Sequence, residues 1–206
     1  MLIKICGMRE AANIGAVGAL KPDMMGFIFY ESSPRYAGNL NPEVMRVLDP
    51  EIQKTGVFVN ADLEDVLVIV ERYNISVVQL HGKESPDLCR ELGKRGFKVI
   101  KAIGIEQAND LEQCRLYEDC CDGLLFDTKS PRHGGTGQGF DWNILKDYKG
   151  KLPFLLSGGI SSDDVEKIKL FQHPRFAGID LNSRFEIVPG EKNVGLLSDF
   201  MEKLKQ

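Results

Sequence analysis

Gly123-Leu124-Leu125-Phe126-Asp127-Thr128 is a short apolar run that ends in a carboxylate. Such a run, nearly free of polar residues, reads as a parallel strand packed on both faces. An aspartate closing it is costly to bury unless it is hydrogen-bonded or does chemistry. The pattern recurs on either side. Lys4-Ile5-Cys6-Gly7-Met8 ends in a thiol, and Val78-Gln79-Leu80-His81-Gly82 ends in an imidazole. Leu155-Leu156-Ser157-Gly158-Gly159-Ile160 closes on a hydroxyl and two glycines. A thiol and a carboxylate at the ends of two strands can serve as base and acid on opposite sides of one substrate carbon, and the glycines are the backbone that holds a phosphate.

Outward from these strings the alternation continues over the whole chain. The strand candidates are Leu2–Met8, Met24–Tyr30, Lys54–Asn60, Val77–His81, Lys98–Ile103, Gly123–Thr128, Phe154–Ser157 and Phe176–Leu181. Helix-like segments lie between them at Glu10–Leu20, Leu63–Tyr73, Asp87–Arg95, Asp110–Glu118, Trp142–Tyr148 and Asp163–Phe171. Asn41-Pro42 and Ser85-Pro86 put a capping residue before a proline at the first helical position. Gly15 and Gly18 weaken the first helix. Eight strand–helix units with no linker predict a single (β/α)8-barrel domain over residues 1–206. A doubly wound open sheet is the alternative. The strands recur at even intervals and the reactive groups fall at strand C-termini, which favours the barrel.

Composition narrows the function classes. The chain has 206 residues, 43% hydrophobic and 27% charged, as in an ordinary globular protein. A net charge of -4 with no Lys/Arg-rich run argues against a nucleic-acid partner. Lys4, Cys6 and Arg9 interrupt any signal peptide, and no run approaches a membrane span, so the expected compartment is the cytoplasm. The 5 cysteines are odd in number and match no zinc or redox spacing. Cys89 and Cys114 read as small core residues. Cys120 and Cys121 are adjacent, but successive side chains point in different directions, which argues against a reactive pair. With 3 histidines, of which only His81 ends a strand, a metal site is poorly supplied and the protein reads as metal-free and without a cofactor.

Period-2 alternation on the first strand puts Lys4, Cys6 and Met8 on one face and Ile3 and Ile5 on the other. With the isoleucines toward the helices, Lys4 and Cys6 point into the barrel. A lysine there needs a carboxylate partner, and its charge favours the thiolate that a base must be. Gly7 points to a close approach by backbone or ligand. On the sixth strand Leu125 and Asp127 share a face. Arg35, in the loop after the second strand, can grip a carboxylate with two hydrogen bonds, unless it is simply a solvated loop arginine. His81 either lines the pocket or caps its strand. His133-Gly134-Gly135-Thr136-Gly137-Gln138-Gly139 is a mobile lid or an anion nest, and lacks the Gly-Lys-Ser/Thr of a nucleotide loop. Ser157–Gly159 and Asp180-Leu181-Asn182-Ser183 follow the last two strands, where barrels bind phosphate.

Lys4–Met8, Gly26–Phe29 with Ser33–Tyr36, Gly56–Asn60, Val78–Gly82, Leu125–Asp127, Gly134–Gly137, Leu156–Ile160 and Gly178–Asp180 together resemble the phosphoribosylanthranilate isomerases of tryptophan biosynthesis. The resemblance implies a cofactor-free (β/α)8 enzyme that performs an Amadori rearrangement on a small phosphorylated substrate, as a monomer or homodimer. It implies that Cys6 is the general base, Asp127 the general acid, and Arg35 the ligand of the anthranilate carboxylate. It also implies a substrate-binding set of His81, Gly135, Ser157, Gly158, Gly159, Asp180, Asn182 and Ser183, with the last two loops on the phosphate. After Asp180 the family often has two serines and a glycine before a glutamate; here the chain reads Leu181-Asn182-Ser183-Arg184-Phe185-Glu186. Arg184 thus replaces a glycine and either adds charge near the phosphate or points to solvent. Among other phosphate-binding barrels, a pentose-phosphate epimerase would need metal ligands, and an indole-glycerol-phosphate synthase a lysine–glutamate set.

Overall fold

The computed structural model describes residues 1–129 and 139–206. Eight parallel strands close into a barrel in chain order: β1 (Leu2–Ile5), β2 (Met24–Ile28), β3 (Gln53–Phe58), β4 (Val77–Leu80), β5 (Lys98–Ile105), β6 (Gly123–Thr128), β7 (Phe154–Leu156) and β8 (Phe176–Leu181). β8 pairs back onto β1 with Lys4 opposite Asp180. Several strands stop short of their apolar runs. β1, β2 and β3 end at Ile5, Ile28 and Phe58, because the chain turns outward at the rim, with left-handed backbone at Gly7 (φ 78) and Asn60 (φ 54).

Strand alternation sorts the apolar residues into two cores. Met24, Val77, Ile100, Ala102, Leu125 and Leu155 fill the barrel. Ile3, Ile5, Phe27, Phe58, Val78, Leu80, Phe126 and Ile179 face outward under the helices. Burying each such large side chain contributes about 1.5–3 kcal/mol. Ile3 and Ile5 lie where alternation puts them. Met8 does not: it packs in the outer core rather than beside Lys4 and Cys6, because the strand ends before it and Gly7 breaks the alternation.

The outer layer holds α1 (Ala11–Gly18), α2 (Glu43–Arg46), α3 (Leu63–Tyr73), α4 (Pro86–Lys94), α5 (Val165–Leu170) and α6 (Val194–Lys205). α3 starts where the Asp62 side chain accepts from the Asp65 N–H and stops at left-handed Asn74. α4 starts with Ser85 capping Leu88 and Pro86 in the first turn. The units after β5 and β6 are 3₁₀ segments, Ala108–Tyr117 and Trp142–Asp147, instead of α-helices. Their buried residues explain this. Leu111, Cys114 and Tyr117, like Trp142, Leu145 and Tyr148, recur every third residue, the period of a 3₁₀ turn. A short antiparallel hairpin, β9 (Glu186–Val188) and β10 (Glu191–Lys192), follows β8. Among the described residues no helix is long and apolar enough to cross a membrane.

Candidate active site

The reactive strand ends gather at the C-terminal rim of the barrel, where such folds place their sites. Cys6 leaves β1 with its N–H bonded to the Leu181 carbonyl at 2.9 Å, and the next two N–H groups both reach the Gly26 carbonyl. Its Sγ lies over Gly26: a Cβ there would stand 2.7 Å from the sulfur and 3.1 Å from Lys4 Nζ. Gly7 is left-handed, and a side chain on it would strike Asn182 Oδ1 and Arg35 Cδ at 2.6 and 2.7 Å. Glycine at that position therefore lets Arg35 and Asn182 close over the thiol.

Lys4 finds the carboxylate its burial demands. Nζ stands 2.7 Å from Asp180 Oδ1, and Ser157 Oγ donates to Asp180 Oδ2 at 3.1 Å. All three side chains are buried. Burial alone would depress the Lys4 ammonium, but the Asp180 charge, helped by Cys6, holds it above its ordinary value. For Cys6 the balance runs the other way. Burial pushes the thiol up, and the Lys4 charge lowers it without cancelling that effect. Lys4 thus acts on Cys6 in the expected direction, but burial outweighs it.

Asp127 stands on β6, three strands around the ring from Cys6. Oδ1 accepts the Thr128 N–H at 2.8 Å, and Oδ2 lies 3.2 Å from His81 Nε2. His81 Nδ1 lies 2.9 Å from Gln79 Nε2, inside the barrel. With Gln79 donating, Nδ1 accepts, and Nε2–H faces Asp127. His81 lines the site rather than merely capping β4. Gln79 Oε1 is buried and has no hydrogen-bond partner among the described residues.

Arg35 is not a solvated loop residue. It is buried, and its guanidinium grips Glu186 of the hairpin, Nε to Oε1 at 2.9 Å and Nη2 to Oε2 at 2.6 Å. Lys192 Nζ joins the same carboxylate at 2.7 Å and also donates to Asn182 Oδ1 at 2.7 Å. Burial would raise the Glu186 carboxyl, but Arg35 and Lys192 hold it below the ordinary range. Burial lowers Lys192 despite Glu186. Glu186, Lys192 and Gln79 were missed by the sequence reading. The signal for the first two was Pro189-Gly190, a turn dipeptide between two short polar–apolar runs.

Behind β7, Gly158 and Gly159 are both left-handed (φ 88 and 69). A Cβ on Gly158 would strike Thr128 Oγ1 and stand 3.0 Å from Asp127 Oδ1, so this turn lies directly against the Asp127 carboxylate. Behind β8, Asn182 opens a 3₁₀ turn, Ser183–Phe185, with Ser183 half-buried and Arg184 exposed. Ser157 and Asp180 commit their side chains to each other and to Lys4, so an anion at these loops meets mainly backbone N–H groups. Gly135 and its loop lie outside the described residues. Among the described residues, no three histidine, cysteine or carboxylate groups at this rim lie close enough to share a metal ion.

Comparison with known proteins agrees with this geometry. Residues 3–203 match the family model described as N-(5'phosphoribosyl)anthranilate (PRA) isomerase. The N-(5'-phosphoribosyl)anthranilate isomerase of Parabacteroides distasonis is 48% identical over 99% of this chain and 93% of its own. That of Phocaeicola vulgatus is 44% identical over 100% and 98%. Among solved structures, the phosphoribosyl anthranilate isomerase of Thermotoga maritima superposes with a TM-score of 0.86 at 32% identity, covering 100% of this chain and 99% of that one. Another, solved in complex with reduced 1-(o-carboxyphenylamino)-1-deoxyribulose 5-phosphate, gives 0.83 at 30% identity, covering 100% and 98%. With this barrel, these strand ends and this likeness over its whole length, the chain belongs to the phosphoribosylanthranilate isomerase family.

Proposed function

We propose that the rim site performs the family's isomerisation, N-(5′-phosphoribosyl)anthranilate to 1-(2-carboxyphenylamino)-1-deoxyribulose 5-phosphate, with Cys6 as base and Asp127 as acid. One observation carries the assignment. Cys6 and Asp127 stand across the barrel mouth and are joined by a continuous polar line: Lys4 beside Cys6, Asp180, Ser157, then Gly158 against Asp127.

Asp127 gives its proton to the furanose ring oxygen as the C1′–O bond breaks and the anilino nitrogen closes a C1′=N double bond. The cationic imine lowers the acidity barrier at C2′. Cys6, as thiolate, takes the C2′ proton, and the C–H electrons form C1′=C2′ while the imine electrons return to nitrogen. The enol so formed becomes the C2′ ketone as C1′ takes up a proton and the C2′ hydroxyl gives one up. Acid–base transfer of this kind contributes on the order of 10²–10⁴-fold, and positioning supplies more.

Binding follows from the same geometry. Arg35, held by Glu186 through Nε and Nη2, keeps Nη1 for the anthranilate carboxylate. His81 orients Asp127. The backbone at Gly158–Gly159 and Asn182–Ser183 takes the phosphate, while Ser157 and Asp180 support Lys4. Gly135 keeps its place as a substrate contact in this reading. A phosphorylated sugar does not cross membranes, so the enzyme works in the cytoplasm where its substrate is made, as a monomer or homodimer. Incubating the protein with freshly generated phosphoribosylanthranilate tests the reading: anthranilate-type fluorescence falls catalytically, whereas loss at the spontaneous rate refutes it.

A further inference from the structure

Outside the barrel wall, three thiols converge that the isomerisation does not use. Cys89 sits in α4 with no exposed surface. Cys120 and Cys121 end the turn that follows Ala108–Tyr117 and lead into β6; both are half-buried. Their N–H groups reach the same acceptor, the Tyr117 carbonyl, at 3.2 and 3.1 Å. The turn keeps these neighbours on one side of the chain, contrary to the sequence expectation that they diverge. All three sulfurs lie within 4.8 Å of one another. No disulfide joins them, and the hydrogen bonds of Cys120 Sγ, to Leu116 and Tyr117 carbonyls at 3.7 and 3.5 Å, are weak ones.

Three thiolates around an ion at about 2.3 Å stand roughly 3.8 Å apart. The observed triangle needs only a small contraction, by side-chain rotation, to reach that size. Its buried corner is Cys89, and its half-buried side is Cys120 and Cys121. Three thiolates and a divalent ion carry a net negative charge, and a buried cation, Lys101, belongs to the same region of the barrel wall. The Lys101 ammonium is buried under the Tyr117 ring, 5.6 Å from its centroid, and pairs with Glu84 at 3.2 Å.

We propose that Cys89, Cys120 and Cys121 form a binding site for a thiophilic metal ion of the Zn²⁺ class, tying α4 to the chain entering β6. Binding releases the thiol protons and forms three metal–sulfur bonds, with no change of oxidation state. Sequence spacing hid the site because Cys89 comes from a different strand–helix unit.

Cadmium is the probe, titrated into the full-length reduced protein while the ultraviolet thiolate-to-cadmium absorption is followed. The expected result is saturation at one equivalent, an intensity matching three thiolates, loss of the band on adding excess Zn²⁺ and a rise in the melting temperature. Cys120→Ser, a half-buried change, should weaken binding by at least about 10²-fold, since even outer partners of a metal site are worth 10–100-fold. Its metal-free melting curve, matching wild type, shows that the fold is retained. Cys6→Ser and Cys114→Ser should keep the band. The proposal fails if no band saturates at one equivalent, if Cys6→Ser abolishes it, or if a Cys120→Ser/Cys121→Ser double variant keeps it.

Discussion

Cys6 shows how one residue balances burial against charge. Its thiol is pushed above the ordinary value by burial and drawn down by Lys4, so the thiolate that the proposed mechanism uses is favoured as pH rises. The isomerase kcat/KM should therefore climb with pH through a limb above the ordinary thiol range of about 8.5. Lys4→Met removes the lowering charge and should move that limb further up. It should also cost about 3–5 kcal/mol in stability by stranding the Asp180 carboxylate in the barrel. A pH–rate profile and a denaturant melt check both; an unmoved limb would separate Lys4 from Cys6. Asp127→Asn keeps the shape of the acid but cannot deliver its proton, and should remove most turnover while sparing substrate binding. Full activity in that variant would remove Asp127 from the mechanism. The places of Cys6, Asp127 and Lys4 in the barrel were legible because each charged or reactive group interrupts an apolar strand. Gln79 was not, because an amide inside a strand looks alike whether it positions a histidine or merely fills space.

At the scale of elements, the hairpin β9–β10 is what the sequence reading lacked. Its two strands, of three and two residues, are too short to show periodicity, and only Pro189-Gly190 marked the turn. The hairpin supplies Glu186, which aims Arg35, and Lys192, which ties Glu186 to Asn182 above Gly7. Arg35→Met should weaken binding of the anthranilate-bearing substrate by roughly 1.5–3 kcal/mol, the worth of a charge-assisted hydrogen bond, and leave inorganic phosphate almost unaffected. Glu186→Gln should raise KM for the substrate through loss of the same aim, again without change for phosphate. Titrating both ligands against each variant decides the matter, since equal weakening of the two would put Arg35 in the scaffold. The 3₁₀ segments after β5 and β6 were read as helices because their three-residue spacing differs little from 3.6 over two turns.

For the whole molecule, strand count, order and closure were readable because most strands are nearly continuous apolar runs that recur at similar intervals. The two cores follow from period-2 alternation on those runs. What one-dimensional spacing cannot show is which groups from different units meet, as with the Cys89 cluster or the Arg35 clamp. Burial also sets the alkaline limit of the fold. It pushes Cys114, Tyr117 and Tyr148 up to about 12. Groups raised in the folded state stabilise it fully below their unfolded values and lose that contribution as pH climbs through the folded ones. The melting temperature should thus fall steadily between about pH 9 and 12, and a flat curve would contradict these burials. The claim that this barrel mouth is an acid–base isomerase is tested most directly by Cys6→Ser. Its turnover of freshly generated phosphoribosylanthranilate, read as fluorescence loss on a sample whose melting curve matches wild type, should fall by at least about 10²-fold, because a hydroxyl is a far weaker base than a thiolate. Turnover near the wild-type rate would contradict it.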